Sequence, residues 1–218
     1  MLKSCIYGSD SDIMMTLNGL LHWQKKNGVL LQWLEPFRFD QRFEGDHQGI
    51  ACIVHSFDQL TIDQMIHEQP RVILMADHIQ DPHNFGAICR SAEAFGVVHM
   101  CYPKNRAVQI TPSVVKASAG AMESMKLCKL TNLRQALKKL SSHGYWIYGA
   151  SSNIGKDINT MTFNFPMVLI CGSEQSGISE GLSKLIDEFV HIPLSGQTSS
   201  LNVSVATGII INKIAFQI

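Results

Sequence analysis

The sequence lacks the patterns of several common protein classes. No apolar run in its 218 residues approaches the roughly 18 residues that a membrane-spanning helix needs. Its first residues, MLKSCIYGSDSD, contain neither the apolar core nor the cleavage site of a secretory signal. Six cysteines are scattered without a C-x-x-C pair, and neither Cys nor His clusters at ligand spacing. These absences favour a cytoplasmic globular protein with reduced cysteines, no membrane segment and no metal site.

Two motifs of nucleotide chemistry are also missing. No strand-like run is followed by G-x-G-x-x-G, which disfavours a nicotinamide or flavin site. The chain has no G-x-x-x-x-G-K-[ST] phosphate loop. His78 and His83 flank one turn, but no nearby residue completes a metal site or a catalytic triad.

The charge balance is zero over the whole chain but uneven along it. Residues 1–70 hold five Lys+Arg against nine Asp+Glu, and residues 71–218 hold thirteen against nine. With 45% hydrophobic and 17% charged residues, the chain can bury a core. A polyanionic partner would therefore contact the C-terminal part more favourably than the N-terminal part.

The chain divides near residue 70 into a small N-terminal domain (1–70) and a larger domain (71–218). The smaller part predicts a helix at about 11–26 and strands at 29–34 and 49–55, with a charged loop between the strands.

In the larger part, short apolar runs alternate with helical segments. The alternation predicts an α/β protein with a mostly parallel sheet covered on both faces. The predicted strands are 72–77, 97–102, 125–130, 145–150, 167–172 and 189–194. Helices are predicted near 84–95, 112–120, 131–142, 176–187 and 200–216, with Thr131 as the cap of the helix at 131–142.

Polar segments follow three of these strands, where open α/β sheets bind their ligands. They are DPHNFGAICRSAEAFG (81–96), LICGSEQSGIS (169–179) and IPLSGQTSSLNVSVATGI (192–209). Each segment alone also fits a structural role: Asn84 with Gly86 can cap a helix, and Arg90 can be a surface residue. The occurrence of all three in one sheet favours a ligand site.

The three segments resemble motifs 1, 2 and 3 of the SpoU/TrmH (SPOUT) family of RNA ribose 2′-O-methyltransferases, and KASAGAMES (116–124) also matches the family pattern. The resemblance covers residues 71–218 in order. It implies an enzyme that uses S-adenosyl-L-methionine, acts on RNA as a homodimer and contains a deep trefoil knot. The knot is implied by the resemblance alone, since the strand–helix alternation predicts a plain doubly wound sheet.

The N-terminal part is similar to the small RNA-docking domain of the ribosomal RNA branch. IYG (6–8) and HQGI (47–50) carry this likeness, although the stretch between them is shortened and acidic. The expected reaction is therefore 2′-O-methylation of a guanosine ribose in 23S ribosomal RNA. The alternatives are a tRNA ribose 2′-O-methyltransferase and a non-catalytic RNA-binding paralogue.

The resemblance also assigns the site residues. It implies that the cofactor pocket is formed by Gly172, Gly177, Ile192 and Leu201. Adenine is compatible with such a pocket, because it needs apolar walls and backbone hydrogen-bond partners.

For catalysis the resemblance implies five polar residues: Asn84, Arg90, Glu174, Ser200 and Asn202. A guanidinium stays protonated in proteins, so Arg90 is a poor general base. It is better suited to bind the adjacent phosphate and stabilise the developing 2′-oxyanion, while the other four orient the arginine, the ribose and the cofactor.

Overall fold

The computed structural model describes residues 2–8, 30–43, 49–54, 57 and 59–218. The chain forms two compact units, 1–57 and 58–218. The structural division therefore lies before the division near residue 70 drawn from the sequence. Met65 accounts for the difference, because it is fully buried in the same hydrophobic cluster as Ile73 of the larger unit.

The first unit contains a three-stranded sheet in the order β2-β1-β3. Strand β1 pairs in parallel with β2 and antiparallel with β3. The elements are β1 (Leu2–Gly8), β2 (Leu30–Leu34), helix α1 (Pro36–Arg42) and β3 (Ile50–Val54).

The prediction of a loop between β2 and β3 was wrong, because helix α1 lies there. Pro36 occupies the first turn of the helix, where its missing N–H costs no hydrogen bond, and Phe39 buries its ring. The helix predicted at about 11–26 lies outside the described residues.

The second unit is built on a seven-stranded sheet in the order β6-β5-β4-β9-β7-β10-β8. Every pairing in this sheet is parallel. The predicted α/β class with a mostly parallel sheet is confirmed, and the trefoil knot stays a prediction. The strands are β4 (Val72–Asp77), β5 (His99–Pro103), β6 (Lys126–Leu130), β7 (Trp146–Ser151), β8 (Lys156–Asp157), β9 (Met167–Gly172) and β10 (Glu188–His191).

Helices follow most of these strands. They are α2 (Ile62–His67), α3 (Pro82–Ala94), α4 (Pro112–Ala117), α5 (Leu133–Ser142), α6 (Glu180–Ser183) and α7 (Val203–Ala215), with a 3₁₀ turn at Ala121–Glu123. None of the helices in the described part of the chain is long and apolar enough to cross a membrane. The cytoplasmic location stays a prediction.

Two helix starts differ from the sequence-based expectation. Asp81, rather than Asn84, caps α3, and its carboxylate accepts a 2.9 Å hydrogen bond from the His83 N–H. Asn132, rather than Thr131, caps α5 through a 3.0 Å bond from the Gln135 N–H. In both cases a side chain one to three residues away from the expected cap satisfies a free N–H of the first turn.

Helix α6 is shorter than the predicted helix at 176–187. The preceding segment folds back on itself, because the N–H groups and carbonyls of Ser173 and Gly177 exchange hydrogen bonds of 3.0 and 2.9 Å. This closed turn gives Gly177 a left-handed φ of +66°. Helical backbone therefore begins only at Glu180.

Candidate active site

The pairing of β4 with β9 brings two of the polar segments to the same edge of the sheet. In this register Asp77, the last residue of β4, lies opposite Gly172, the last residue of β9. The chain leaves both strands at their carboxyl ends, which is where ligands bind in open parallel sheets.

Three of the predicted catalytic residues form one hydrogen-bonded cluster, here called the amide–carboxylate cluster: Asn84, Glu174 and Asn202. Asn84 Nδ2 donates to Glu174 Oε1. Asn202 Nδ2 donates to Asn84 Oδ1 at 3.0 Å and to Glu174 Oε1 at 3.3 Å. The cluster therefore joins the start of α3, the segment after β9 and the start of α7.

The buried position of Asn84 explains why it is not a helix cap. Its exposed fraction is only 8%, so its amide needs partners within the protein. Glu174 accepts from its N–H and Asn202 donates to its carbonyl oxygen, which satisfies both ends of the side chain.

Asn202 has a second role as the cap of α7. Its Oδ1 accepts hydrogen bonds from the Ser204 N–H at 2.8 Å, the Ser204 hydroxyl at 2.6 Å and the Val205 N–H at 3.4 Å. With Oδ1 committed to the helix, Nδ2 is directed to the cluster. The same side chain thus fixes a helix start and a polar contact of the site.

A cavity of about 940 Å³ adjoins the cluster. All four predicted cofactor residues line it, together with three of the predicted catalytic residues: Gly172, Gly177, Ile192, Leu201, Glu174, Ser200 and Asn202. The structure therefore brings seven of the nine predicted site residues to one cavity, and Asn84 contacts it through Glu174 and Asn202.

Gly172 lies so close to the backbone of Gly177 and Ile178 that it has no room for a side chain. A Cβ atom built on Gly172 would lie 2.1 Å from the Gly177 carbonyl carbon and 2.2 Å from the Ile178 nitrogen. No real Cβ atom tolerates such distances from backbone atoms. The turn after β9 can close only because residue 172 is glycine.

The remaining walls of the cavity combine polar residues with several apolar ones. Ile154, Leu194, Ala206 and Ile210 contribute to them. Sequence reasoning missed Ile154 and the rest of the turn after β7. The available signal was that β7 is another parallel strand, whose carboxyl end must open at the same edge of the sheet.

One thiol also lines the cavity. The Thr207 hydroxyl donates a 3.1 Å hydrogen bond to Cys171 Sγ. Burial raises the pKa of the Cys171 thiol to about 11, so the thiol stays neutral near pH 7. Cys171 therefore acts as an apolar part of the wall rather than as a nucleophile.

Arg90 lies apart from the amide–carboxylate cluster. It is exposed on α3, six residues after Asn84 and about 9 Å farther along the helix. Its guanidinium makes no hydrogen bond or ion pair with any residue that the structure describes. Arg90 thus presents a positive charge that an anionic ligand could approach.

The three segments match a known family as a unit. The model of the SpoU rRNA methylase family matches residues 71–212, which include every residue of the cluster and of the predicted cofactor set. The chain belongs to the SpoU rRNA methylase family. The resemblance of the three motifs to this family is thereby confirmed.

Relatives of this SpoU protein agree with the assignment. The chain is 34% identical to the TrmH family tRNA/rRNA methyltransferase YacO of Bacillus subtilis, over 87% of this chain and 78% of that protein. It is 32% identical to a TrmH family tRNA/rRNA methyltransferase of Staphylococcus haemolyticus, over 91% of this chain and 82% of the relative.

Solved structures of SpoU proteins share the fold. The methyltransferase AviRb of Streptomyces viridochromogenes, in complex with AdoMet, superposes with a TM-score of 0.80 at 21% identity and covers 100% of this chain and 83% of its own. An AdoMet-bound rRNA methyltransferase of Sinorhizobium meliloti gives a TM-score of 0.77 at 19% identity, over 97% of this chain and 78% of its own. At these identities the likeness supports the fold alone.

We expect the two roles of Asn202 to be separable by substitution. Asn202→Ala removes the cap of α7 and should lower the free energy of unfolding by about 1 kcal/mol more than Asn202→Ser, whose hydroxyl can still cap the helix. Both variants lose the bonds to Asn84 and Glu174, so that loss cancels in the comparison. Urea unfolding of the two variants measures the difference, and equal unfolding free energies would contradict the capping role.

Proposed function

We propose that this SpoU-family RNA methyltransferase transfers a methyl group to the 2′-oxygen of a guanosine ribose in 23S ribosomal RNA. The observation that carries the proposal is the position of the amide–carboxylate cluster beside a cavity large enough for a nucleoside cofactor. A polar cluster that joins three strand-outlet segments is suited to hold a ribose hydroxyl next to a bound cofactor.

The cavity fits S-adenosylmethionine, the cofactor of the family. Ile192, Leu201 and Ile210 offer apolar surface for an adenine ring, and the glycine turn exposes backbone groups for its polar edge. When bound, the cofactor supplies an electrophilic methyl group on a sulfonium. The transfer needs an acceptor oxygen aligned with this methyl group and relieved of its proton, and it requires no metal.

The chain's own polar residues supply alignment and charge. Glu174 carries the negative charge of the amide–carboxylate cluster, and the two asparagines hold its carboxylate in one orientation. Ser200 is exposed on the same cavity and offers a hydroxyl to the ribose. Arg90 binds the phosphate beside the target ribose and stabilises the developing 2′-oxyanion.

The proposal of a ribosomal substrate rests on the first unit. Its IYG and HQGI segments resemble the small RNA-docking domain of the ribosomal branch, and we assign that docking role to this unit, residues 1–57. The curated relatives are named for both tRNA and rRNA, and a TrmH/SpoU tRNA modifying enzyme of A. aeolicus gives a TM-score of 0.60 at 27% identity. A tRNA substrate is therefore the second candidate.

Transfer of radiolabelled methyl groups to separate pools of unmodified ribosomal RNA and tRNA tests the proposal. We expect label in 23S ribosomal RNA. Label confined to tRNA would replace the ribosomal substrate with tRNA. Binding of cofactor and RNA without transfer to either pool would identify a non-catalytic paralogue.

Cofactor binding should depend on Gly172. Gly172→Ala forces the turn at Gly177 open and should abolish binding of S-adenosylmethionine, measured by titration calorimetry without added metal. The matched control is Gly196→Ala, because a Cβ built on Gly196 has no neighbour within 4 Å. Thermal unfolding checks that both variants fold. Unchanged affinity in folded Gly172→Ala would show that the cofactor binds elsewhere.

Arg90→Ala should lower the single-turnover rate of methylation roughly 100-fold, as the loss of one oxyanion donor does. Cofactor affinity should hardly change, since the role places Arg90 on the nucleotide. Arg90→Lys should restore little activity, because an ammonium cannot reproduce the planar fork of a guanidinium. Full activity of the alanine variant would return Arg90 to a surface role.

The homodimer is part of the proposal. Helix α7 exposes Val205 to 50%, Ile209 to 41% and, just beyond its end, Phe216 to 83%. Their spacing of four and seven residues places them along one face of the helix, which a second copy of the chain would cover.

Light scattering at micromolar concentration should therefore give the mass of a dimer. Ile209→Asp places a charge on the apolar face of α7 and should shift the mass toward that of a monomer. Gln135→Glu adds a negative charge to exposed α5 and serves as the control. A monomeric wild-type protein would refute the dimer, and a dimer unaffected by Ile209→Asp would refute this interface.

A further inference from the structure

A second, smaller cavity opens at the same edge of the main sheet. Its volume is about 340 Å³, and it lies at the carboxyl ends of β4, β5 and β6. Its walls include His78, Arg106, Asn132, Arg134 and Ser179. None of the nine site residues predicted from the sequence lines it.

Two arginines give this cavity a net positive charge, since the only carboxylate among its lining residues is that of Asp77. Within the described part of the chain, neither the Arg106 nor the Arg134 guanidinium has a hydrogen-bond partner or an acidic neighbour at ion-pair distance. Asp77 also lines the cavity, but it is 1% exposed. Its Oδ2 accepts a 2.6 Å hydrogen bond from the Ser179 N–H, and its Oδ1 lies 2.5 Å from His78 Nδ1. The carboxylate is therefore already engaged.

The backbone at this cavity is unusual at two positions. His78 has a φ of 58° and Arg106 a φ of 54°. Residues with a β-carbon rarely adopt this left-handed conformation, and such outliers concentrate at ligand sites. Here they hold the two segments that follow β4 and β5 in the positions that form the cavity wall.

The smaller cavity is linked to the candidate active site through the chain segment after β9. Residues 173–178 line the larger cavity, and Ser179 lines the smaller one. The bond from the Ser179 N–H to Asp77 ties this segment to the end of β4. The two cavities are therefore neighbours along one short chain segment.

We infer that the smaller cavity binds a backbone phosphate of the RNA strand that carries the target ribose. This inference rests on the proposed function and adds a second anchor for its substrate. Guanidinium groups bind phosphate oxygens in a bidentate manner, and two of them can hold one phosphodiester or two successive ones. Such contacts position the strand and carry no sequence information.

The test compares a double variant, Arg106→Ala with Arg134→Ala, with a control that removes the same charge. The control is Lys126→Ala with Lys138→Ala, because neither lysine lines either cavity and Lys126 begins β6 at the opposite edge of the sheet. Fluorescence anisotropy with a mixed-sequence single-stranded RNA oligonucleotide, over a series of KCl concentrations, gives the affinity and its salt dependence. Calorimetry with S-adenosylmethionine and thermal unfolding are measured in parallel.

We expect the arginine variant to bind RNA about 10- to 100-fold more weakly, with cofactor affinity unchanged. The slope of log affinity against log salt should fall by about 0.7 for each lost phosphate contact. Replacing both arginines by lysine should restore the slope but only part of the affinity. The control pair should retain the wild-type affinity within a few-fold.

Wild-type affinity and slope in the arginine variant would overturn this inference and leave the proposed function standing. Equal losses in the arginine and control variants would also overturn it, because the effect would then reflect net charge alone. A wild-type protein that binds no RNA would overturn the proposed function and this inference together.

Discussion

The parallel pairing of β4 with β9 determines where the polar groups of the larger unit meet. The register that sets Asp77 opposite Gly172 lets the two following segments leave the sheet side by side. From there Asn84 and Glu174 come within hydrogen-bonding distance, although 90 residues separate them in sequence. A shift of one residue in this pairing would turn the side chains of the strand to the other face and separate the two groups.

The buried Asn84 amide makes this arrangement cooperative. A buried amide without partners is costly, so the contacts of Asn84 make α3, the turn after β9 and the start of α7 stabilise one another. Asn202 couples α7 to the cluster, because its side chain both donates to Asn84 and caps the helix. The larger cavity is thus bounded by the turn after β9 and the start of α7, and α3 holds both in place through Asn84. Methyl transfer requires preorganisation of this kind.

Much of the larger unit was predictable because its strands are short apolar runs and its motifs lie at their ends. The predictions failed where a tertiary contact overrides a local signal. Asn84 has the chemistry of a cap, but the pocket beside Glu174 buries it and leaves the cap to Asp81. The charged stretch after β2 looks like a loop, yet burial of Phe39 supports a helix. The cavity formed by Arg106 and Arg134 combines segments after different strands, and no single motif marks it.

If the methyl group is transferred to a ribose oxygen, chemical analysis of the methylated RNA will locate it there. Ribosomal RNA methylated by the protein would be hydrolysed with alkali and analysed by mass spectrometry. We expect to recover the methyl group in an alkali-resistant dinucleotide, because a blocked 2′-oxygen cannot attack the neighbouring phosphate. Recovery of the methyl group on the base of a mononucleotide released by alkali would contradict transfer to the ribose.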